Sequence, residues 1–358
     1  MRILIDIGHP GHVHLFKHFA MKMSDKGHSI LFTCREKEFE AELLRSYGFQ
    51  FISFGKKFRS TIGKISGLLK FDLLELKAAL KFRPDIFLSH GSPYAAHAAW
   101  LLQKPHISLE DTFNFEQIRL YKPFTDVILT STYSHPELGE KNIKYSGYHE
   151  LAYLHPKVFE PNAEILKELG IKSGEKYVIM RFISWNATHD IGHKGMSLKD
   201  KLEAVNRISK YAKVFISSEN ELPSELKKYK FPLSPNKMHD VIAFAELVFG
   251  ESATMATEGA VLGVPAIYID NTSRFYTKDI ETNFGTLFNY SESDADQLKA
   301  IDKACELLLK QNIDRDARRK KIAESKINVT EFLVWFVENY PGSKMVMKKD
   351  PQYQLNFR

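Results

Sequence analysis

Ser252, Thr254 and Glu258 share one stretch, GESATMATEGAVLGVP at residues 250–265, whose residue types suit the binding of an anion. An apolar run, Glu246-Leu-Val-Phe249, precedes it and reads as a buried strand; a second, Ala266-Ile-Tyr-Ile269, follows it. The small residues between them predict a turn and then a helix of about three turns, with Ser252 and Thr254 as candidate caps. The first amides of a helix have no partner within it, and the helix dipole favours negative charge there. Glu258 stands one turn in. It cannot bond phosphate, because like charges repel, but a carboxylate accepts hydrogen bonds from the paired hydroxyls of a sugar. Phosphates at the helix start and a ribose at the glutamate describe a nucleoside diphosphate. The alternative is an ordinary strand–helix–strand unit with a capped helix and an exposed glutamate.

Two other stretches carry chemistry. Residues 8–14, GHPGHVH, place His9, His12 and His14 after an apolar strand. They can supply a base near neutral pH, a helix cap or metal ligands. No neighbouring carboxylate or cysteine completes a metal set, so none is expected. FISWNATHDIGHKGMS follows a strand at Lys176–Arg181. There Arg181 can pair bidentately with a diphosphate, and Ser184 and Asn186 can bond phosphate or sugar. His189, Asp190 and His193 suggest a metal, but nothing else converges on them, and the loop could also be a plain connector around Trp185.

These residues need a scaffold. Strands are expected at Arg2–Ile7, Ser29–Thr33 and Phe49–Phe54, with helices at Leu15–Lys26 and Glu36–Ser46 between them. Residues 55–68, GKKFRSTIGKISGL, read as a basic, glycine-rich loop. A strand running into a turn at His90–Ser92, a helix at Tyr94–Gln103, and strands at His106–Leu109, Asp126–Thr130 and Ile143–Tyr145 follow. The proline-bearing stretch from Glu150 to Pro161 is the expected linker. Beyond it come helices at Ala163–Leu169, Leu198–Tyr211 and Lys237–Phe244, and a strand at Lys213–Ser217 with Ser218 opening the next turn. Helices at Asp294–Lys310, Arg315–Glu324 and Val329–Tyr340 close the chain, with a loose polar tail from Gly342. Strands alternating with helices predict parallel sheets, whose ligands sit beyond the carboxyl ends of the strands.

The chain has 358 residues, enough for two domains, and 44% hydrophobic residues, enough for a core. No apolar run reaches the ~18–20 residues of a membrane span, and the opening MRILIDIGHPG lacks the order of a signal peptide. With Cys34 and Cys305 alone, no disulfide framework or cysteine metal site is implied. A cytoplasmic location is expected. A net charge of +6 suits anionic ligands or a membrane surface without demanding nucleic acid.

SATMATEGAVLGVPAIYI resembles the donor-binding segment of GT-B glycosyltransferases and of the non-hydrolysing UDP-N-acetylglucosamine 2-epimerases. The resemblance implies that Ser252, Ala253 and Thr254 bind the diphosphate and Glu258 the ribose. It also implies that backbone near Lys237 and Met238 meets the base, and that the 181–196 loop, Ser218 and the DNTSRFYTK turn from Asp270 face the same cleft. Gly11-His12-Val13 resembles the first loop of the N-acetylglucosaminyltransferase that completes the lipid-linked peptidoglycan precursor. His12 falls on the histidine proposed there to activate the acceptor. The acceptor side is expected to include Gly11, His14, His90 and Glu116, with Lys56, Lys57, Arg59 and Lys64 as a possible lipid-phosphate contact. In the epimerases one catalytic glutamate matches Glu110 and another roughly matches Glu116, but Ser92 replaces their catalytic aspartate. The whole chain most resembles a prokaryotic family known only as a domain of unknown function, sharing GHPGHVH and SWNATHD.

Together these imply an α/β, GT-B-like chain of two doubly wound Rossmann-type domains facing a cleft. The acceptor domain is expected at 1–155, the donor domain at 156–328, and a terminal helix at 329–341 returns to the first. The expected reaction moves sugar from a nucleoside diphosphate sugar, UDP favoured, to a hydroxyl of a glycan or lipid-linked acceptor. His12 would serve as base, and Arg181 with the helix dipole would meet the leaving group without metal or other cofactor. The alternatives are an epimerase using Glu110 and Glu116, and a non-catalytic sugar-nucleotide or glycan-binding protein.

Overall fold

The computed structural model describes residues 1–358 except 37, 57–60, 184–194, 219, 273 and 311–313, and for 61–66 the backbone. The chain forms two compact units, Met1–Tyr153 with Lys326–Arg358, and Leu154–Ser325.

The first unit is built on β1 (Arg2–Ile7), β2 (Ser29–Glu36), β3 (Phe51–Lys56), β4 (Ile86–His90), β5 (His106–Leu109), β6 (Val127–Ser131) and β7 (Asn142–Tyr145). They form a sheet ordered β3-β2-β1-β4-β5-β6-β7, parallel throughout. Every residue of β1 from Ile3 to Ile7 is buried, as a strand covered on both faces requires. The chain builds outward from β1 through β2 to β3, then crosses back to β4. The direction of winding therefore reverses between β1 and β4, and such a reversal opens a crevice at the carboxyl edge.

The second unit repeats this logic with β8 (Tyr177–Phe182), β9 (Lys213–Ser218), β10 (Leu247–Gly250), β11 (Ala266–Ile269) and β12 (Leu287–Tyr290), ordered β12-β11-β10-β8-β9. Here the reversal lies between β8 and β10. Val178, Met180, Leu247, Phe249 and Ile267 from the strands pack with Ala204, Ile208, Ala300 and Ile301 from the helices Leu198–Ile208 and Asp294–Leu309. The fold is thus mixed α/β, two parallel sheets in Rossmann-like arrangement.

Four local expectations are corrected. The first helix spans Pro10–Asp25, not Leu15–Lys26: His9 caps it, and Pro10 starts it with a φ already helical. A helix, Thr61–Phe82, occupies much of the supposed basic loop, because Phe71, Glu75, Ala78 and Ala79 recur on one buried face. Its leucines at 69, 73 and 80 are exposed. The DNTSRFYTK segment is a turn only at its start, since Phe275–Phe284 is helical. The tail is packed rather than loose. Gly342–Lys349 is helical, the Trp335 and Tyr353 rings stack at 4.7 Å, and Gln354 is buried.

Candidate functional site

Each reversal of winding collects polar side chains. In the second unit, β8 carries Arg181 opposite Gly250 of β10. Gly250 has φ +144°, and a Cβ there would meet the Arg181 carbonyl oxygen at 2.1 Å, so the close approach of these strand ends requires glycine. The helix Ala253–Val261 begins just beyond, and Ser252 caps it: its Oγ accepts from the Met255 amide at 3.3 Å. Ala253 and Thr254 form the first turn, so the cap is Ser252 and not Thr254. Arg181 is 9% exposed, and its Nη1 donates to Ser217 Oγ at 3.0 Å. Ser218 closes β9 beside Phe182 and accepts from the Asn220 amide.

Glu258 is buried rather than exposed, and its Oε1 lies 3.0 Å from His239 Nε2. His239 belongs to the helix Met238–Ala243, so this pair ties the segment expected at the base to the glutamate expected at the ribose. Arg181, Ser218, Met238, Ser252, Ala253, Thr254 and Glu258 thus lie on elements at or next to the carboxyl edge of one sheet. Ser184 and Asn186 lie outside the described residues, as do Trp185, His189, Asp190 and His193.

Glu251, missed in the sequence, holds the approach to the helix together. Its Oε2 accepts from the Ile183 amide and its Oε1 from the Met196 amide, each at 2.7 Å. Lys201 Nζ lies 3.0 Å from Oε1, and both side chains are buried. Burial pulls the Lys201 ammonium down from its usual range, against the pull of Glu251. No sequence signal distinguishes this glutamate from any other acid beside a helix cap.

In the first unit the reversal lies between the ends of β1 and β4. His9 accepts from the Gly11 amide as the helix cap, and His12 Nδ1 accepts from the Gly8 amide at 3.3 Å. The His12 ring stacks on that of His90 at 4.4 Å. His90 Nε2 is 2.9 Å from Asp111 Oδ1, and His149 Nδ1 is 2.9 Å from Asp111 Oδ2. Burial opposes both charges, yet the partners prevail. The two imidazoles hold the Asp111 carboxyl well below the usual range, and Asp111 draws His90 above its own. Sequence reasoning misses Asp111 and His149, which sit immediately after Glu110 and in the Gly147-Tyr-His run.

The other acceptor-side expectations scatter. Gly11 lies in the first turn with His12, but His14 turns into the core beside Tyr47 and Tyr153. Glu116 is exposed on the helix Phe115–Tyr121. Glu110 faces inward: Oε1 accepts from the Thr112 and Phe113 amides, and Oε2 accepts from the Tyr121 hydroxyl at 2.7 Å. Ser92, where the epimerases carry their aspartate, caps the helix Pro93–Leu101. Lys57 and Arg59 lie outside the described residues; Lys56 ends β3. Among the described residues no helix is long and apolar enough to cross a membrane.

Solved structures share this fold. S. aureus MnaA, in a co-structure with UDP, is 14% identical with a TM-score of 0.67, over 96% of this chain and 97% of that one. UDP-GlcNAc 2-epimerase from Neisseria meningitidis bound to UDP-GlcNAc is 14% identical, TM-score 0.66, over 94% and 99%. The spinosyn rhamnosyltransferase SpnG complexed with thymidine diphosphate is 14% identical, TM-score 0.60, over 95% and 100%. At such identity the likeness is one of GT-B fold. No curated protein matches the chain. The family model that does match runs from residue 1 to residue 314, and the chain belongs to that family, described as Protein of unknown function (DUF354).

Proposed function

We propose that the chain binds a nucleoside diphosphate sugar, UDP-linked by preference, and transfers the sugar to a hydroxyl of a glycan or lipid-linked acceptor. The observation that carries this reading is the set of side chains at the carboxyl edge of the second unit's sheet. A helix start capped by Ser252 stands beside Arg181, and the buried Glu258 follows in the second turn. Uncompensated amides and a guanidinium suit a diphosphate, and they supply the positive charge that a departing diphosphate needs without a metal. Glu258 suits a ribose. His12, at the reversal point of the first sheet, is the proposed base for the acceptor hydroxyl; Nδ1 carries the lone pair and would exchange the Gly8 amide for the hydroxyl proton. The neighbours named for UDP, UDP-GlcNAc and thymidine diphosphate support a nucleotide-linked donor.

Epimerase chemistry has less support. Ser92 caps a helix in place of an acid, and Glu110 is engaged by two amides and a tyrosine hydroxyl. A lipid-linked acceptor is supported by the helix Thr61–Phe82, whose exposed Leu69, Leu73 and Leu80 run alongside Lys70, Lys77 and Lys81.

Calorimetric titration of the whole protein with UDP, GDP, CDP and dTDP tests the donor site. Selective binding of one of them is expected. Absence of binding by all four, with the protein folded, would overturn the reading.

A further inference from the structure

We propose that the first unit binds one divalent transition-metal ion, ligated by His90, Asp111 and His149. The three come from separate stretches: the end of β4, the second residue after β5, and the turn that follows β7. All stand at the carboxyl edge of one sheet, so strand pairing fixes their positions.

The two imidazole nitrogens each lie 2.9 Å from an Asp111 oxygen, and one ligand atom from each residue falls within 4.8 Å of the other two. The side chains of His90, Asp111 and His149 are 10%, 16% and 7% exposed, so the cluster is sheltered yet reachable from solvent. Two imidazoles and one carboxylate are donors of the kind that hold Zn²⁺, Mn²⁺, Fe²⁺ or Co²⁺, whereas Mg²⁺ and Ca²⁺ take oxygen ligands. Three protein ligands also leave a coordination position open.

The nitrogens turned to Asp111 are Nε2 of His90 and Nδ1 of His149, so these two atoms and a carboxylate oxygen of Asp111 make the ligand set. Without an ion, N–H groups fill the space between nitrogens and carboxylate. An ion would take the place of those protons, and at lower pH protons and metal would compete for the same nitrogens.

The proposal is independent of the nucleotide site, which is argued from the second unit, and no step of transfer is routed through the ion. The test uses whole protein stripped by chelator and shown folded by its thermal transition. It is titrated by calorimetry with Zn²⁺ and Mn²⁺, and with Co²⁺ followed by visible absorption. One ion per chain and the d–d bands of nitrogen-ligated Co²⁺ are expected. Asp111→Asn and His149→Gln should each weaken binding by roughly a hundred-fold or more, above the loss typical of an outer-sphere partner. Should Asp111→Asn fail to fold, His149→Gln decides alone. No binding to the folded wild type, or binding that survives substitution of the ligands, would overturn the site; nucleotide titration of the same stripped sample reads the other proposal separately.

Discussion

Oε1 of Glu258 lies 3.0 Å from Nε2 of His239, and both side chains are buried. The contact joins two helices, and it orients a carboxylate in the second turn beyond the Ser252 cap. Glu258→Ala should therefore weaken binding of the preferred nucleoside diphosphate by about ten-fold or more, roughly 1.4 kcal/mol. His239→Ala should act in the same direction and by less, since it works only through the carboxylate. Calorimetry on both variants checks this; full affinity in Glu258→Ala would remove the ribose role.

His12→Ala should separate chemistry from binding. If His12 takes the acceptor proton, turnover falls by roughly 10²–10⁴-fold while nucleotide affinity is unchanged. Glu110→Gln gives the contrast. An epimerase would be most sensitive there, whereas a transferase would lose activity only as far as the Thr112–Phe113 turn is disturbed.

Lys201→Met should destabilise the second unit by about 3–5 kcal/mol, because Glu251 would keep a buried charge without its ammonium partner. The unmasked carboxylate would also repel a diphosphate at the adjacent helix start. Adding Glu251→Gln should recover part of the stability, and thermal unfolding of the single and double variants measures it.

The acid limb of stability should be set in part by two buried histidines. Burial pushes the His106 imidazole down to about 3, and burial with Lys157 and Arg319 pushes His155 down to about 4. Both values lie below the ordinary 6.5 or so, so the fold disfavours their protonation. Their contribution is complete above that value and is lost as pH falls from about 6.5 towards the folded values. Each adds a slope of up to about 1.4 kcal/mol per pH unit in that window. His106→Gln should flatten the fall in melting temperature, and an unchanged acid limb would contradict the assignment.

Much of the scaffold was legible, because buried parallel strands are short apolar runs and His106–Leu109 and Ala266–Ile269 read directly as such. The Ser252 cap and Glu258 were legible for a related reason: cap, turn and helix are neighbours in sequence. What escaped was set by distance along the chain. Asp111 finds His90 and His149 only once β4, β5 and β7 lie in one sheet, and Glu251 finds Ile183 and Met196 only across β8 and β10. The helix Thr61–Phe82 was hidden differently, since Gly63 and Gly67 read as loop residues while the helical periodicity lay further on. The early start of the first helix was signalled by Pro10, a residue favoured at a first helical position.

The clasp of Glu251 gives one side chain hold of two separate backbone points, Ile183 through Oε2 and Met196 through Oε1. The end of β8 and the entry to the helix Leu198–Ile208 are thereby locked by a single carboxylate, so the two should loosen together rather than in turn.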